Sequence, residues 1–224
     1  MLSEINQLLS TTDLEKIQSL IDEAQWQSGS DSAGMHAREI KSNEEMDQAC
    51  KSWTAINQIV VSQLYAHPTF QSMVLPSKVS AAFISRCQSG MYYGQHIDNP
   101  IMGNANARYR SDVAITVFLS DPSTYDGGEL SIESRFGQVS VKLPAGTAVV
   151  YPASSLHEVT PVSRGERIVC ALWAQSMVRD EQQRELLHDL DAVRQALNQS
   201  TPNALVAQKT EHVYANLLRF WADV

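Results

Sequence analysis

The sequence predicts a mainly β fold, a sandwich or barrel, with helices before and after it. Between about residues 78 and 176, short apolar runs recur at roughly 8–12-residue spacing with turn residues between them. On either side of that stretch the apolar period lengthens to the 3.6 residues of a helix. The chain has 224 residues, 43% of them hydrophobic, enough for one domain with a sizeable core.

Residues 1–77 read as a helical support region. Thr12 and Glu15 have the spacing of a capping box, and Leu14, Ile17, Ile21 and Ala24 then share a face. Gly29 to Gly34 reads as a loop. Ser42 and Glu45 repeat the capping spacing. They predict a long helix with Met46, Ala49, Trp53, Ile56, Val60 and Leu64 on its buried stripe. It should stop at His67-Pro68, since proline disfavours helix in the residue before it.

Residues 78–177 read as strands. The first runs from Val79 to Ile84, and the most regular lies within Asp112 to Ser120. Further strands are expected at 129–133, 138–143, 147–151, 155–162 and 167–174. Asp126-Gly127-Gly128, Phe136-Gly137, Pro144-Ala145-Gly146 and Ser163-Arg164-Gly165 supply the turns. Residues 178–224 return to helix. Leu186, Leu190, Val193 and Leu197 form one stripe. Thr201-Pro202 offers a cap and a first-turn proline, and Val206, Val213, Leu217 and Phe220 form a second stripe. These faces are expected to pack on the barrel or, in a homodimer, on a second subunit.

The formal charge of −8 disfavours a general nucleic-acid binder, which needs a basic footprint. Cys50, Cys87 and Cys170 are odd in number and far apart, so reduced thiols are expected rather than disulfides. The start, MLSEINQLLS, lacks a basic end and a long apolar run. No secretion signal or membrane span is expected, and the protein reads as cytoplasmic.

Three residues carry the chemistry. His96 and Asp98 are two apart, so in a strand or at its end they share a face while Ile97 points away. His157 follows 59 residues after Asp98 and is expected to reach the same point from across the barrel. Two imidazoles and a carboxylate can cap one face of an octahedral Fe(II) and leave the other open for a co-substrate and dioxygen. Neither His-Xaa-Asp nor a lone histidine would mean much alone; the ordered set does. His36, His67, His188 and His212 have no matching partners and are assigned to structure or solvent.

Arg167 lies ten residues beyond His157 and opens a strongly apolar strand. A charge facing a core is costly unless an anion pairs with it, and a guanidinium grips a carboxylate with two parallel hydrogen bonds. Arg167 is therefore the expected anchor for the far carboxylate of 2-oxoglutarate. The plainer alternative has it facing solvent beside Gly165 and pairing with Glu166.

The stretch from Gly90 to Pro100, GMYYGQHIDNP, resembles the prolyl-4-hydroxylase-like 2-oxoglutarate/Fe(II) dioxygenases. So do Phe118-Leu119-Ser120, Tyr125 to Leu130, and Tyr151-Pro152 ahead of Ser154 to His157. Together with WAQSMVRD, from Trp173 to Asp180, they look more narrowly like the bacterial PKHD-type hydroxylases linked to iron uptake, the PiuC or YbiX group. The resemblance implies a double-stranded β-helix (jelly-roll) core. It also implies His96, Asp98 and His157 as iron ligands, Arg167 on 2-oxoglutarate, and L-ascorbate as the reductant. One departure stands out. Many prolyl hydroxylases have Arg-Tyr where this chain has Arg86-Cys87, so a tyrosine that assists the co-substrate is missing there. Tyr93 is the candidate to line the pocket instead.

The implied reaction couples hydroxylation of an unidentified substrate, peptidyl or siderophore-related, to decarboxylation of 2-oxoglutarate to succinate. The segment from Asn99 to Arg108 is expected near the mouth, with Arg108 and Arg110 as weaker candidates for holding an acidic group. Two other classes compete: a cupin-type metal enzyme that does not use 2-oxoglutarate, and a non-catalytic iron or 2-oxoglutarate sensor.

Overall fold

The computed structural model describes residues 2–32 and 38–224. His36 and the far end of the loop expected at Gly29 to Gly34 lie outside the described residues. Gly29–Ser32 itself is a short 3-10 helix.

The N-terminal elements, in chain order, are β1 (Ser3–Ile5), α1 (Thr11–Asp22), β2 (Trp26–Ser28), β3 (Lys41–Ser42), β4 (Glu44–Met46), α2 (Lys51–Ala66) and α3 (Pro68–Val74). The next strands are β5 (Pro76–Val79), β6 (Phe83–Gln88), β7 (Tyr92–His96), β8 (Ile101–Met102), β9 (Tyr109–Arg110) and β10 (Val113–Phe118). They are followed by β11 (Asp126–Gly127), β12 (Leu130–Ser134), β13 (Gly137–Val141), β14 (Ala148–Pro152), β15 (His157–Val159), β16 (Val162–Arg164) and β17 (Glu166–Ser176). Two helices, α4 (Glu181–Ser200) and α5 (Leu205–Trp221), close the chain.

The strands form two main antiparallel sheets. The larger runs β1-β14-β10-β17-β6-β4-β2, with β5 also on β17; the smaller runs β13-β12-β15-β7-β3. This is a jelly-roll of two facing sheets with helices on the back of the larger one.

β10 and β17 explain why the fold has two cores. Every residue of β10 is buried, as expected for a strand covered on both faces. Val113, Ile115 and Val117 face the helices, where Ile17, Ile56, Val60, Leu64 and Phe70 meet them. Ala114 and Phe118 face the space between the sheets, with Leu130, Ile132, Val149, Tyr151 and Val169. β17 is divided in the same way. Ile168, Cys170 and Leu172 join the helical core, while Val169 and Trp173 turn to the barrel interior. Arg167 has the parity of that interior set.

The structure departs from the sequence expectations in four places. First, the capping box of α1 sits two residues earlier than Thr12 and Glu15. The Asp13 backbone N–H donates to Ser10 Oγ at 3.1 Å, and the Ser10 N–H donates to the Asp13 carboxylate at 3.0 Å. Second, the long helix expected from Ser42 begins only at Lys51, where the Trp53 N–H donates to Cys50 Sγ at 3.3 Å. Met46 instead ends strand β4, because β6 on one side and β2 on the other offer that segment backbone partners. The first 77 residues thus contribute strands as well as helices.

Third, two expected strands are split. Val79 to Ile84 breaks between β5 and β6, where Ser80 exchanges hydrogen bonds with Trp173. The run from Ser155 to Val162 breaks before Pro161, which has no N–H for a ladder. Fourth, the apolar stripes of the C-terminal helices are only partly buried: Leu217 packs inward, while Leu186, Val193, Val206, Val213 and Phe220 stay exposed. α4 turns Arg184, Leu187 and Asp191 inward. Arg184 Nη1 donates to the carbonyls of Val178 and Arg179, each at 2.8 Å, so a charged residue takes the inward place. α5 begins at Leu205, with Ala204 as its cap, and Thr201 ends α4.

Ile115→Ala removes a side chain from the centre of the larger sheet that is 1% exposed. It is expected to cost about 2–5 kcal/mol. Phe136→Ala, at a fully exposed turn position, is expected to stay within about 0.5 kcal/mol. Urea denaturation followed by circular dichroism measures both.

Candidate metal and co-substrate site

β7 ends on His96 and β15 begins on His157, and the two residues are direct cross-strand partners. His157 therefore comes from the neighbouring strand of the same sheet, not from across the barrel. The two imidazole centroids are 4.2 Å apart. Asp98 lies just past the end of β7, and one of its oxygens is 3.9 Å from His157 Nε2. The donor atoms of His96, Asp98 and His157 all lie within 4.8 Å of one another. Ile97 between them is 56% exposed, as the alternation requires.

Hydrogen bonds hold both imidazoles for metal binding. His96 Nδ1 bonds the Gly94 carbonyl at 2.8 Å, and His157 Nδ1 bonds the Ser155 carbonyl at 3.0 Å. A carbonyl only accepts, so each Nδ1 carries a proton and each Nε2 is the ring atom turned to the site. Burial, and then the nearby His157, lower the His96 pKa to about 4, so this ring is neutral near pH 7. Burial raises the Asp98 pKa, while His157 and the Trp173 indole favour its charged form. Asp98 Oδ2 and Trp173 Nε1 are nonetheless buried without a well-formed hydrogen bond. Two presented imidazole nitrogens and a carboxylate with an unpartnered oxygen fit a divalent ion of the ferrous kind.

Arg167 is 2% exposed, and its Nε has no hydrogen-bond partner. Its guanidinium lies 5.7 Å from the Phe118 ring centroid. The solvent-facing alternative is thereby set aside. Glu166 instead lies 3.7 Å from Arg86 and accepts from Gln88 at 3.0 Å.

Beside Arg167 is a residue to which the sequence analysis gave no role. Tyr125 is fully buried, and its hydroxyl is unpartnered. Burial raises its pKa, with the Arg167 charge working against that rise. Gly128 makes room for both. Its φ is +66°, and a Cβ there would lie 2.9 Å from Val162 Cγ2, 3.0 Å from Arg167 Cδ and 3.3 Å from Tyr125 Cε2. The phenol and the guanidinium stem thus lie side by side in the barrel interior, a combination suited to a carboxylate. Cys87, where a tyrosine is often found, is the cross-strand partner of Arg167, so Tyr125 brings a phenol to the same neighbourhood from the loop ahead of β11. Its signal was present in the Tyr125 to Leu130 motif, although spacing alone did not show which way the ring points.

Tyr93 stacks on His96, with centroids 3.7 Å apart and planes 14° from parallel. It supports the imidazole face, and Lys41 lies 5.2 Å from its ring centroid. Tyr151 packs edge-on against His157 at 5.3 Å. Arg110 is not a free cation at the mouth, because it holds both oxygens of Asp112, at 2.5 and 2.9 Å. Arg108 is exposed. His188 bonds Ser72 at 2.9 Å, and His212 lies along exposed helix α5, both remote in sequence and in element from the triad.

The fold and the site define the class, a non-haem 2-oxoglutarate-Fe(II) oxygenase. The 2OG-Fe(II) oxygenase superfamily model matches residues 82–175, and the PKHD-type hydroxylase C-terminal domain model matches 181–223. The prolyl-4-hydroxylase of Pseudomonas putida superposes with a TM-score of 0.52 at 17% identity, over 78% of this chain and 92% of that one. A Trichoplax adhaerens prolyl hydroxylase, solved with a hypoxia-inducible-factor peptide fragment, superposes with 0.55 at 17% identity, over 83% and 86%. PKHD-type hydroxylase Tgr7_2199 of Thioalkalivibrio sulfidiphilus is 49% identical over 224 residues, the whole of both chains.

The chain belongs to the PKHD-type hydroxylases and is a 2-oxoglutarate-dependent dioxygenase. Membership displaces the cupin and sensor classes. Among the described residues no helix is long and apolar enough to cross a membrane.

Gly128→Ala is expected to push Arg167 and Tyr125 apart and to destabilise the fold by about 1–3 kcal/mol, from overpacking and a strained positive φ. Thermal unfolding of the variant against the parent measures it.

Proposed function

We propose that His96, Asp98 and His157 hold the ferrous ion, and that Arg167 with Tyr125 grips the far carboxylate of 2-oxoglutarate. The observation that carries this is the pairing of a pre-oriented imidazole–carboxylate face with a buried guanidinium whose Nε has no partner. Bound iron and 2-oxoglutarate supply, with dioxygen, the oxidising chemistry that hydroxylates a substrate C–H bond and releases succinate and carbon dioxide.

The protein's own residues do the rest. The Gly94 and Ser155 carbonyls orient the two rings. Trp173, next to Asp98, favours its ionised form and steers its carboxylate. Tyr93 covers one face of His96 and keeps water from it. Phe118 and Val169 wall the interior around Arg167, so its charge acts on a bound carboxylate without competition from bulk solvent.

The substrate is a peptidyl residue or a siderophore-related molecule. The Trichoplax relative in fold was solved with a peptide, which supports the first. L-ascorbate serves as the reductant that keeps the iron ferrous, and the enzyme works in the cytoplasm.

Succinate release should require both Fe(II) and 2-oxoglutarate. Asp98→Ala is expected to abolish turnover; retention of full turnover removes Asp98 from the ligand set. Arg167→Ala should raise the 2-oxoglutarate KM on the order of 100-fold with iron binding kept, the loss of a buried charge-assisted pair. Tyr125→Phe should raise it roughly tenfold, the value of one hydrogen bond to a charged group. An unchanged KM in Arg167→Ala refutes the anchor. Peptides and siderophores incubated under turnover and weighed by mass spectrometry identify the substrate by a gain of one oxygen atom.

A further inference from the structure

The C-terminal helical hairpin leaves one side apolar and uncovered. On α4, Leu186 and Val193 are 58% and 51% exposed; on α5, Val206, Val213 and Phe220 are 55%, 45% and 84% exposed. Within each helix these residues recur every seven positions, so they fall on one line along it, the spacing by which helices pack in bundles.

The two lines lie on the same side of the hairpin. Each exposed residue precedes an inward-facing one: Leu186 comes before Leu187, Val206 before Ala207, Val213 before Tyr214 and Phe220 before Trp221. Each is therefore rotated about 100° in the same sense from its buried neighbour. α4 and α5 run antiparallel, with Arg194 bonded to Glu211 at 3.0 Å. The inward neighbours face each other across the seam, where the Arg194 guanidinium lies 4.5 Å from the Tyr214 ring centroid, so equal rotations on antiparallel helices carry both lines to one outer face.

We propose that this face is covered by a second copy of the chain. The two hairpins close as an antiparallel four-helix bundle about a two-fold axis parallel to the helices. The five side chains leave on the order of 500 Å² of apolar surface uncovered. That is at the upper limit of what monomers expose and most of the ~800 Å² per partner of a standard interface, before the rest of the face is added.

Charge also selects a second copy. The outer flank of α4 carries exposed Glu185 and Asp189 near its start, while α5 carries exposed Arg219 near its end, at the same height of the hairpin. Arg219 leans along its helix to donate to Asn216. The two-fold axis lays α4 against the partner's α5 and sets Glu185 and Asp189 opposite the partner's Arg219. The same pairing occurs twice, as an isologous interface demands.

Sedimentation velocity on the full-length, iron-loaded protein tests this, with an expected mass of twice 24.8 kDa. Val213→Glu with Phe220→Glu should give a monomer whose far-ultraviolet circular dichroism is unchanged, because both sites are on the surface. Glu185→Lys alone should weaken the dimer roughly tenfold, and Glu185→Lys combined with Arg219→Glu should recover it. A monomeric parent at tens of micromolar overturns the proposal, including one that binds vesicles of anionic phospholipid through this face. So does a dimer that survives the double glutamate variant, or a charge swap that fails to recover association.

Discussion

The arrangement depends on one buried cation. Arg167 opens the apolar strand β17, is almost fully enclosed, and has no hydrogen-bond partner at its Nε. A buried ion without full compensation costs several kcal/mol, and the surrounding residues make sense as an environment built to hold it. Gly128 gives up its side chain so that the arginine stem and the Tyr125 ring can lie side by side. Lys142 lies 4.1 Å from the centroid of the Tyr125 ring and donates to the Tyr125 carbonyl at 2.8 Å, fixing the tyrosine from behind. In the proposed reading, a bound carboxylate compensates the charge that the fold leaves without a full set of partners.

The two-sided character of the central strands brings this cation to the metal-ligand face. In β17 alternate residues go to the helical core or to the barrel interior. Arg167, Val169 and Trp173 share the interior parity, so one strand delivers both the buried guanidinium and the indole beside Asp98. The proposed ligands arrive from the opposite sheet, where the pairing of β7 with β15 sets His96 against His157. A slip of one residue in either strand would turn its functional side chain outward. Helices α1 to α3 behind the larger sheet hold that register through the core they share with β10 and β17.

The triad and the arginine were legible in the sequence because their chemistry is unusual in its setting: a charge at the head of an apolar strand, and paired ligands two residues apart. The strands around them were legible from alternation and turn residues. Tyr125 was not, because a tyrosine among turn residues looks the same whether it faces solvent or a cavity, and only the folded turn around Gly127 and Gly128 decides. β4 was hidden by Ser42 and Glu45, whose helix-capping spacing is outweighed by backbone pairing with β2 and β6. On the C-terminal helices the apolar stripes were legible, but the choice between the barrel and a second subunit as their cover was not. Periodicity finds a face without saying what covers it, and here Arg184 took the inward place by capping strand-end carbonyls.

The attachment of that hairpin links the two ends of the molecule. β17 runs from Arg167 past Trp173 to Ser176 without a break, and the chain then passes directly to the hairpin. Met177 exchanges backbone hydrogen bonds with Leu75 and Asp223, and Val178 pairs with Ala222 at the end of α5. Leu187, Leu75 and Val178 form a small core beneath the helices. The hairpin is thus fastened to the far end of the strand whose near end holds the co-substrate anchor. Its inward face is spent on that attachment, which is why its remaining apolar residues have nowhere to turn but outward. A second hairpin packed there would clamp the end of β17 from outside, and through the rigid ladder of β10, β17 and β6 it would steady the spacing between Trp173 and Arg167. The proposed association and the proposed co-substrate anchor in this way bear on one strand.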